Sequence, residues 1–215
     1  MPAGCAPFSQ AEYDRRIAKT RAAMAEAGLD AVFVTDPSNQ AWLTGYDGWS
    51  FYVHQGVILR MEGEPEWWGR SMDALGGQRT CWMAAENIHG YSDHYIQSTV
   101  YHPMQDLAEH FTRMGLASAR IGVEMENYYY SAKAHEVLGA ELPNATLVDA
   151  TALVNWQRLV KSGEEIGFIR KAAKISEKVV GVALERAAPG VRKNDLVADI
   201  MHAGITGVDD IWGDY

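Results

Sequence analysis

The stretch from Arg158 to Gly190 constrains this chain most, because it predicts one long helix with an unusually wide apolar surface. Ser162 and Glu165 form the S-x-x-E pattern of a capping box, in which each side chain satisfies a backbone N–H at the helix start. Pro189 and Gly190 end the helix, since proline cannot continue it and glycine accepts the turn. The chain therefore contains a well-defined helix that must bury apolar side chains somewhere.

The charged residues of this helix share one narrow arc, and apolar residues fill an arc of roughly 200° at ~100° per residue. The little chain that follows the helix cannot supply cover on two sides. We therefore expect its face of Phe168, Ile175 and Val179 to be covered by the preceding part of the chain, by another subunit or by a rearrangement. The charged arc comprises Arg170, Lys171, Lys174, Glu177, Lys178 and Glu185.

Composition limits the class of protein. The chain has 215 residues, of which 47% are hydrophobic and 22% charged, as is typical of a soluble globular protein of one or two domains. A net charge of −9 argues against nucleic acid as a partner. No apolar run is long enough to span a bilayer, and residues 1–7 lack the features of a signal peptide. Cys5 and Cys81 are too few for a disulfide framework, so a cytoplasmic location is expected.

Predicted strands and helices alternate through the first part of the chain. Ser9 and Glu12 open a helix, and residues 29–35 form a short apolar run that predicts a buried strand. Alternating apolar and polar residues from Trp49 to Met61 predict a long strand, which turns back into a second strand at residues 66–68. This alternation favours an α/β domain whose sheet is covered on both faces.

A second domain is predicted to begin near residue 158. Shorter strands are expected near residues 88–91, 120–124 and 145–148, and all precede this point. Two consecutive helices follow it, the one capped by Ser162 and another over residues 192–203, without strands for them to cover. We therefore predict an N-terminal α/β domain over residues 1–157, and a linker with an incomplete second domain over residues 158–215.

Motif chemistry alone identifies no active site. The patterns of phosphate-binding loops, dinucleotide-binding turns, zinc peptidases and nucleophile elbows do not occur. His89, Asp93 and His94 are candidate metal ligands, although surface or packing histidines are the simpler interpretation. Asp209 and Asp210 are adjacent carboxylates, but neighbouring side chains diverge and do not readily share an ion.

An aromatic group stands out between residues 49 and 52. Trp49, Phe51 and Tyr52 follow a glycine-containing turn over residues 44–48. One interpretation is that these rings pack in the core. The other is that they form a wall for a planar or cationic ligand, because aromatic faces attract cations.

Several segments in order resemble the creatinase/prolidase/aminopeptidase P superfamily of pita-bread enzymes. The resemblance implies an N-terminal creatinase/prolidase-type α/β domain with a mixed sheet flanked by helices. A short linker and the first helices of a truncated pita-bread α+β catalytic domain would follow. The segments are Tyr13-Asp14-Arg15-Arg16-Ile17, Gly28-Leu29-Asp30-Ala31, Thr35-Asp36-Pro37-Ser38-Asn39, Leu43-Thr44-Gly45-Tyr46, Ile121-Gly122-Val123-Glu124, Arg158 to Ile166, Ile169 to Ala173, and Ala188-Pro189-Gly190-Val191.

The resemblance also implies where catalysis takes place. The superfamily's catalytic histidine and its Asp/Asp/His/Glu/Glu metal ligands correspond to positions after Tyr215. We therefore expect no catalytic or metal-binding residue in this chain, and no activity from the chain alone. The cofactor stays open: two divalent metal ions if the protein is a peptidase, and none if it is creatinase-like.

Within the superfamily, residues 43–53 and 204–215 resemble the ectoine hydrolase group. These bacterial enzymes break a C–N bond in the cyclic amidine of ectoine to give N-acetyl-diaminobutyrate. Creatinase-like members carry, in the matching strand, an aromatic and a basic residue that reach the neighbouring subunit's substrate. Phe51 matches the aromatic residue, but Val53 stands at the basic position, which argues against creatine. The resemblance implies a homodimer and a small zwitterionic substrate that contacts Trp49, Phe51 and Tyr52.

Two alternatives to ectoine hydrolysis stay open. One is an Xaa-Pro dipeptidase or aminopeptidase with a two-metal site. The other is a non-catalytic member of the superfamily that binds a protein. The residues after Tyr215 would separate the first alternative, because five metal ligands there indicate a peptidase. No nucleic acid or membrane partner is expected in any case.

Overall fold

A computed structural model of the chain describes residues 6–213 and contains two compact units, which divide between Leu159 and Val160. The predicted boundary after residue 157 lies two residues before this division. Cys5, Asp214 and Tyr215 lie outside the described residues. Cys81 is a buried free thiol. Among residues 6–213, no helix is both long enough and apolar enough to cross a membrane.

The first unit is built on one mixed sheet of six strands, as predicted. The strands are β1 (Ala31–Val34), β2 (Gly56–Arg60), β3 (Glu66–Arg70), β4 (Ile88–Tyr91), β5 (Arg120–Val123) and β6 (Thr146–Asp149). Their order across the sheet is β4-β3-β2-β1-β5-β6. The β1–β2 and β2–β3 pairs are antiparallel, and the other three pairs are parallel. The parallel pairs need crossover connections, which the helices supply.

Helices cover both faces of the sheet, which confirms the layered α/β prediction. The helices of this unit are α1 (Gln10–Glu26), α2 (Pro37–Thr44), α3 (Ser71–Thr80), α4 (Pro103–Arg113), α5 (Ala132–Glu141) and α6 (Leu153–Arg158). β1 sends Val32 and Val34 into a core shared with α1, α2, α3 and α6, and Ala31 and Phe33 into a core shared with α4 and α5. Successive side chains of a strand point to opposite faces, so one short strand contributes to both cores.

β3 supplies a fully buried tryptophan to each core. Trp67 belongs to the core on the α1 face, where its ring lies 5.0 Å from the ring of Tyr46. Trp68 belongs to the opposite core, and its indole Nε1 donates to the carboxylate of Asp106 on α4 at 2.7 Å. The hairpin that joins β2 and β3 therefore fixes the packing of both layers.

The predicted long strand from Trp49 to Met61 is wrong in its first half. Residues 49–54 form an irregular loop, and β2 begins only at Gly56. The hydroxyl of Ser50 accepts the backbone N–H of Val53 at 3.1 Å, which bends the chain before the strand. The apolar alternation was misleading because Val53 is buried, whereas the apolar rings before it are exposed.

A buried carboxylate connects the ends of the two central parallel strands. Glu124, directly after β5, accepts the backbone N–H groups of Thr35 and Asp36 at 2.6 and 2.7 Å. Its other oxygen accepts the amide of Asn39 on α2 at 2.7 Å. Asn39 in turn accepts from Arg158, the last residue of α6, at 2.6 Å. Burial raises the pKa of Glu124, and these donors oppose that effect.

We expect Glu124→Gln to lower the free energy of unfolding by about 2 kcal/mol. An amide N–H₂ would replace one accepting oxygen, and the N–H groups that now donate to that oxygen would lose their acceptor. Urea unfolding followed by tryptophan fluorescence measures the change. Glu126→Gln, the same substitution at an exposed position of the same loop, serves as the control. Equal midpoints for the two variants would show that the Glu124 contacts contribute nothing to stability.

The second unit contains α7 (Gly163–Arg186) and α8 (Lys193–Thr206), which pack against each other. The predicted capping box is confirmed. The hydroxyl of Ser162 accepts the N–H of Glu165 at 3.1 Å, and the carboxylate of Glu165 accepts the N–H of Ser162 at 2.7 Å. The ammonium of Lys178 donates to the carbonyl of Gly207 after α8.

Within the second unit α8 is the helix that covers α7, and the expected cover of the rest of its apolar surface by the preceding part of the chain, another subunit or a rearrangement stays a prediction. Ile175 and Val179 are half-buried, but Phe168 and Leu184 are exposed. The exposure of Phe168 and Leu184 follows from helix geometry. α8 is shorter than α7 and covers one side of it, whereas the apolar arc of α7 extends over roughly half its circumference. The capping chemistry could be read from local sequence, whereas the cover depends on what surrounds the helix.

Candidate functional site

The three predicted site residues lie together on the loop that precedes β2. Trp49, Phe51 and Tyr52 are 62%, 71% and 54% exposed. The ring centroids of Trp49 and Phe51 are 6.1 Å apart, and those of Phe51 and Tyr52 are 5.0 Å apart. Packing in the core, the alternative interpretation, is therefore wrong for all three. Exposed rings that contact one another form a surface on which a ligand or partner can dock.

A second loop extends this surface with residues that the sequence did not single out. Tyr129 lies edge-on to Trp49 with ring centroids 6.4 Å apart, and Tyr128 lies 6.3 Å from Tyr129. The loop follows β5, at the end where Glu124 is buried. The carboxylate of Glu124 accepts the amide N–H of Asn127 at 3.0 Å, and Asn127 accepts the backbone N–H of Tyr129 at 2.9 Å. We call Trp49, Phe51, Tyr52, Tyr128 and Tyr129 the aromatic surface.

One sequence signal could have identified the second loop. Three consecutive tyrosines, Tyr128 to Tyr130, directly follow the predicted strand at residues 120–124. Only Tyr130 is buried, so the other two are available to face outward. Loops at the ends of strands commonly carry binding residues on a rigid scaffold.

A neutral histidine, His54, connects the two loops of the aromatic surface, and a second neutral histidine packs against it. The ring of His54 hydrogen-bonds the backbone of Tyr129, and its centroid lies 5.1 Å from that of His102. His102 caps α4, where its Nδ1 accepts the N–H of Met104 at 3.2 Å. Burial lowers the pKa of His54, and burial together with neighbouring His54 lowers the pKa of His102 to about 4. Both imidazoles therefore supply polar contacts without charge at neutral pH.

Val53 presents nothing to a ligand. Its side chain is buried in the core on the α4 face, between the exposed rings of Phe51 and Tyr52 and the buried strand β2. The position at which a creatinase-like protein would carry a basic residue therefore points inward here.

Glu66, His89 and His110 form a polar cluster on the α4 side of the sheet. The Nε2 atoms of His89 and His110 lie 2.8 and 2.9 Å from the same carboxylate oxygen, Oε2 of Glu66. Arg60 donates to Oε1 of Glu66 at 3.0 Å. Burial alone would raise the pKa of Glu66, but the hydrogen bonds from His110 and His89 outweigh it and hold the pKa well below its usual range. We call these three residues the Glu–His–His cluster.

The predicted metal ligands do not come together as a set. His89 belongs to the Glu–His–His cluster, but both oxygens of Asp93 accept from Arg70 at 2.7 and 2.8 Å. The ring of His94 lies 3.9 Å from that of Tyr95. In the part of the chain that the structure describes, the Glu–His–His cluster is the one group of three that could hold a metal ion. Asp209 and Asp210, which are exposed, belong to no such group there.

The electrostatics of Glu66 lead to a pH-dependent prediction. A carboxyl group whose pKa is lowered on folding contributes stability above its unfolded pKa, about 4.5, and this contribution is lost as the pH falls through the folded value. We therefore expect Glu66→Gln to be less stable than the wild type at pH 7, and the difference to shrink below about pH 4.5. Urea unfolding from pH 7 to pH 3 measures this, with exposed Glu62→Gln as the control. A constant difference across that range would contradict the prediction.

Comparison with known proteins identifies relatives of the chain. Residues 16–160 match the family model described as Creatinase/Prolidase N-terminal domain. The chain is 50% identical over 202 residues to ectoine hydrolase of Halomonas elongata. The aligned residues cover 94% of this chain and 51% of that protein. It is 40% identical over 207 residues to an uncharacterized hydrolase/peptidase of Sinorhizobium fredii, and the aligned residues cover 96% of this chain and 53% of that protein. The chain thus spans about half the length of the curated relatives it matches.

A solved structure supports the fold. An Xaa-Pro dipeptidase from Bacillus anthracis superposes with a TM-score of 0.67 at 16% identity and covers 91% of this chain and 50% of that one. At this identity the similarity concerns the fold alone. It agrees with the mixed sheet and flanking helices described above.

Proposed function

The chain belongs to the creatinase/prolidase N-terminal domain family, and on that premise we propose that the whole protein is a hydrolase that opens the cyclic amidine of ectoine to N-acetyl-diaminobutyrate. The observation that carries the proposal is 50% identity to ectoine hydrolase over 202 residues. Water adds to the amidine carbon, and one C–N bond of the ring breaks. The oxygen that first attacks the amidine carbon would belong to a metal-bound water, or to a carboxylate whose covalent adduct water then hydrolyses, and either group would lie outside this chain.

The part that we assign to this chain is the aromatic surface. The substrate is a small zwitterion with a delocalised cation, and aromatic faces attract such a cation by about 0.5–2 kcal/mol each when desolvated. Trp49, Phe51 and Tyr52 are exposed in one chain, which leaves their faces available to a neighbouring subunit. We propose that in a homodimer they form one wall of the partner subunit's active site.

The burial of Val53 means that this loop offers the substrate no basic side chain at that position. A creatinase-like site needs a basic side chain there, and Val53 is buried instead. This observation favours ectoine over creatine as the substrate. The peptidase alternative has weaker support, because the relative named hydrolase/peptidase is 40% identical, and the similarity to solved dipeptidases is below 25% identity and shows the fold alone.

We expect Phe51→Ala in the whole protein to lower kcat/KM for ectoine by about 2- to 30-fold, the rate equivalent of one lost cation–π contact. Steady-state kinetics, in which the rate of N-acetyl-diaminobutyrate formation is measured against ectoine concentration, gives kcat/KM. Tyr101→Ala, which removes an exposed ring from a different loop, is the matched control and should retain wild-type kcat/KM.

Three results would overturn parts of the proposal. Unchanged kcat/KM in Phe51→Ala and in Trp49→Ala would remove the aromatic surface from the site. Hydrolysis of Xaa-Pro dipeptides but not of ectoine would replace the function by that of a peptidase. No turnover of either substrate, with retained binding of a protein partner, would indicate a non-catalytic member.

A further inference from the structure

We propose that Glu66, His89 and His110 bind a divalent transition-metal ion, with Zn²⁺ as the expected occupant. The site lies within the first unit and is distinct from the aromatic surface. It does not depend on the proposed hydrolase function, because each ligand belongs to this chain. Ligand type, ligand spacing and access all favour a metal ion at this position.

The ligand set suits zinc. Two imidazole nitrogens and one carboxylate oxygen are a common zinc-binding set, which leaves a fourth position for water. The three ligand atoms all lie within 4.8 Å of one another. Ligands of a tetrahedral zinc ion are about 3.3 Å apart, given metal–ligand distances near 2.0–2.1 Å. The observed separations of 2.8 and 2.9 Å from Glu66 need to widen by only a few tenths of an ångström.

The ligands come from three fixed elements. Glu66 begins β3 and pairs with Ile58 of β2, and His89 lies on β4 opposite Trp68. His110 lies on α4, whose buried side holds it against the sheet. Arg60 holds Oε1 of Glu66, so that Oε2 remains directed at both imidazoles. Such outer contacts orient metal ligands in known sites.

Access is possible from the side of His89. The side chains of Glu66 and His110 are buried, whereas that of His89 is 32% exposed. A hydrated ion can therefore approach past His89 and exchange its waters for the three ligand atoms. The remaining water would occupy the fourth position on the exposed side.

Arg113 competes with the metal. Its guanidinium lies 3.3 Å from Nδ1 of His110 and donates to that nitrogen. An imidazole that binds a metal through Nε2 carries its proton on Nδ1, so it cannot accept this bond. Arg113 must therefore leave when the metal binds. Its side chain is 62% exposed, which allows it to turn into solvent.

Titration of the chain with Co²⁺ tests the proposal, because a four-coordinate Co²⁺ ion absorbs in the visible range and Zn²⁺ displaces it. We expect one bound ion per chain, and loss of the absorption band in His89→Ala and His110→Ala. We expect Arg113→Gln to bind about 5- to 20-fold more tightly, since it removes both a competing donor and a positive charge near a divalent ion. His94→Ala, an exposed histidine outside the cluster, is the control and should bind as the wild type does.

Folding is checked independently. Circular dichroism establishes that each variant is folded, and His89→Ala is the substitution that disturbs the core least. A bound metal stabilises the folded chain, so Zn²⁺ should raise Tm in the wild type and in Arg113→Gln but not in His89→Ala. Absence of the Co²⁺ band in the folded wild type, or a band and Tm shift that survive in both histidine variants, would overturn the proposal. An Arg113→Gln variant that binds the metal no more tightly than the wild type would overturn the proposed competition between Arg113 and the metal.

Discussion

The buried carboxylate of Glu124 is the interaction on which most of the first unit depends. It lies where the two central parallel strands end, and at this edge the backbone N–H groups of the next turn have no strand partner. By accepting the N–H groups of Thr35 and Asp36, it fixes how the chain leaves β1 and enters α2. Through Asn39 it reaches Arg158 at the end of α6, and through Asn127 it sets the loop of Tyr129. A single buried carboxyl group thus connects the scaffold to the aromatic surface.

The sequence predicted features that depend on neighbouring residues and missed those that depend on distant ones. The Ser162 capping box, the β2–β3 hairpin and the layered sheet follow from short-range pattern, and the structure confirms them. The strand proposed for Trp49 was wrong because apolar alternation does not reveal which residues are buried. The Glu–His–His cluster was missed because its members lie on β3, β4 and α4, and only the fold brings them together.

The aromatic surface and the Glu–His–His cluster represent two ways of arranging polar and apolar groups. At the aromatic surface, apolar rings are exposed and the half-buried imidazole of His54 is neutral, because burial lowers its pKa. In the cluster, the charged carboxylate of Glu66 is buried and stays ionised because donors surround it. Burying either group costs free energy unless hydrogen bonds compensate for it. Both arrangements therefore require the rigid scaffold that the two cores provide.

The alternation along β3 has a consequence for how this chain tolerates change in length. Trp67 enters one core, while Trp68 and Glu66, two positions apart, serve the opposite side. A shift of register by a single residue turns every side chain of a strand to the other face. An insertion or deletion in the turn at residues 61–65 that displaced β3 in this way would exchange the two tryptophans and withdraw Glu66 from both histidines at once. The number of residues in that turn is thus constrained, and a related chain that changed it would need a compensating change elsewhere to keep both tryptophans and Glu66 in place.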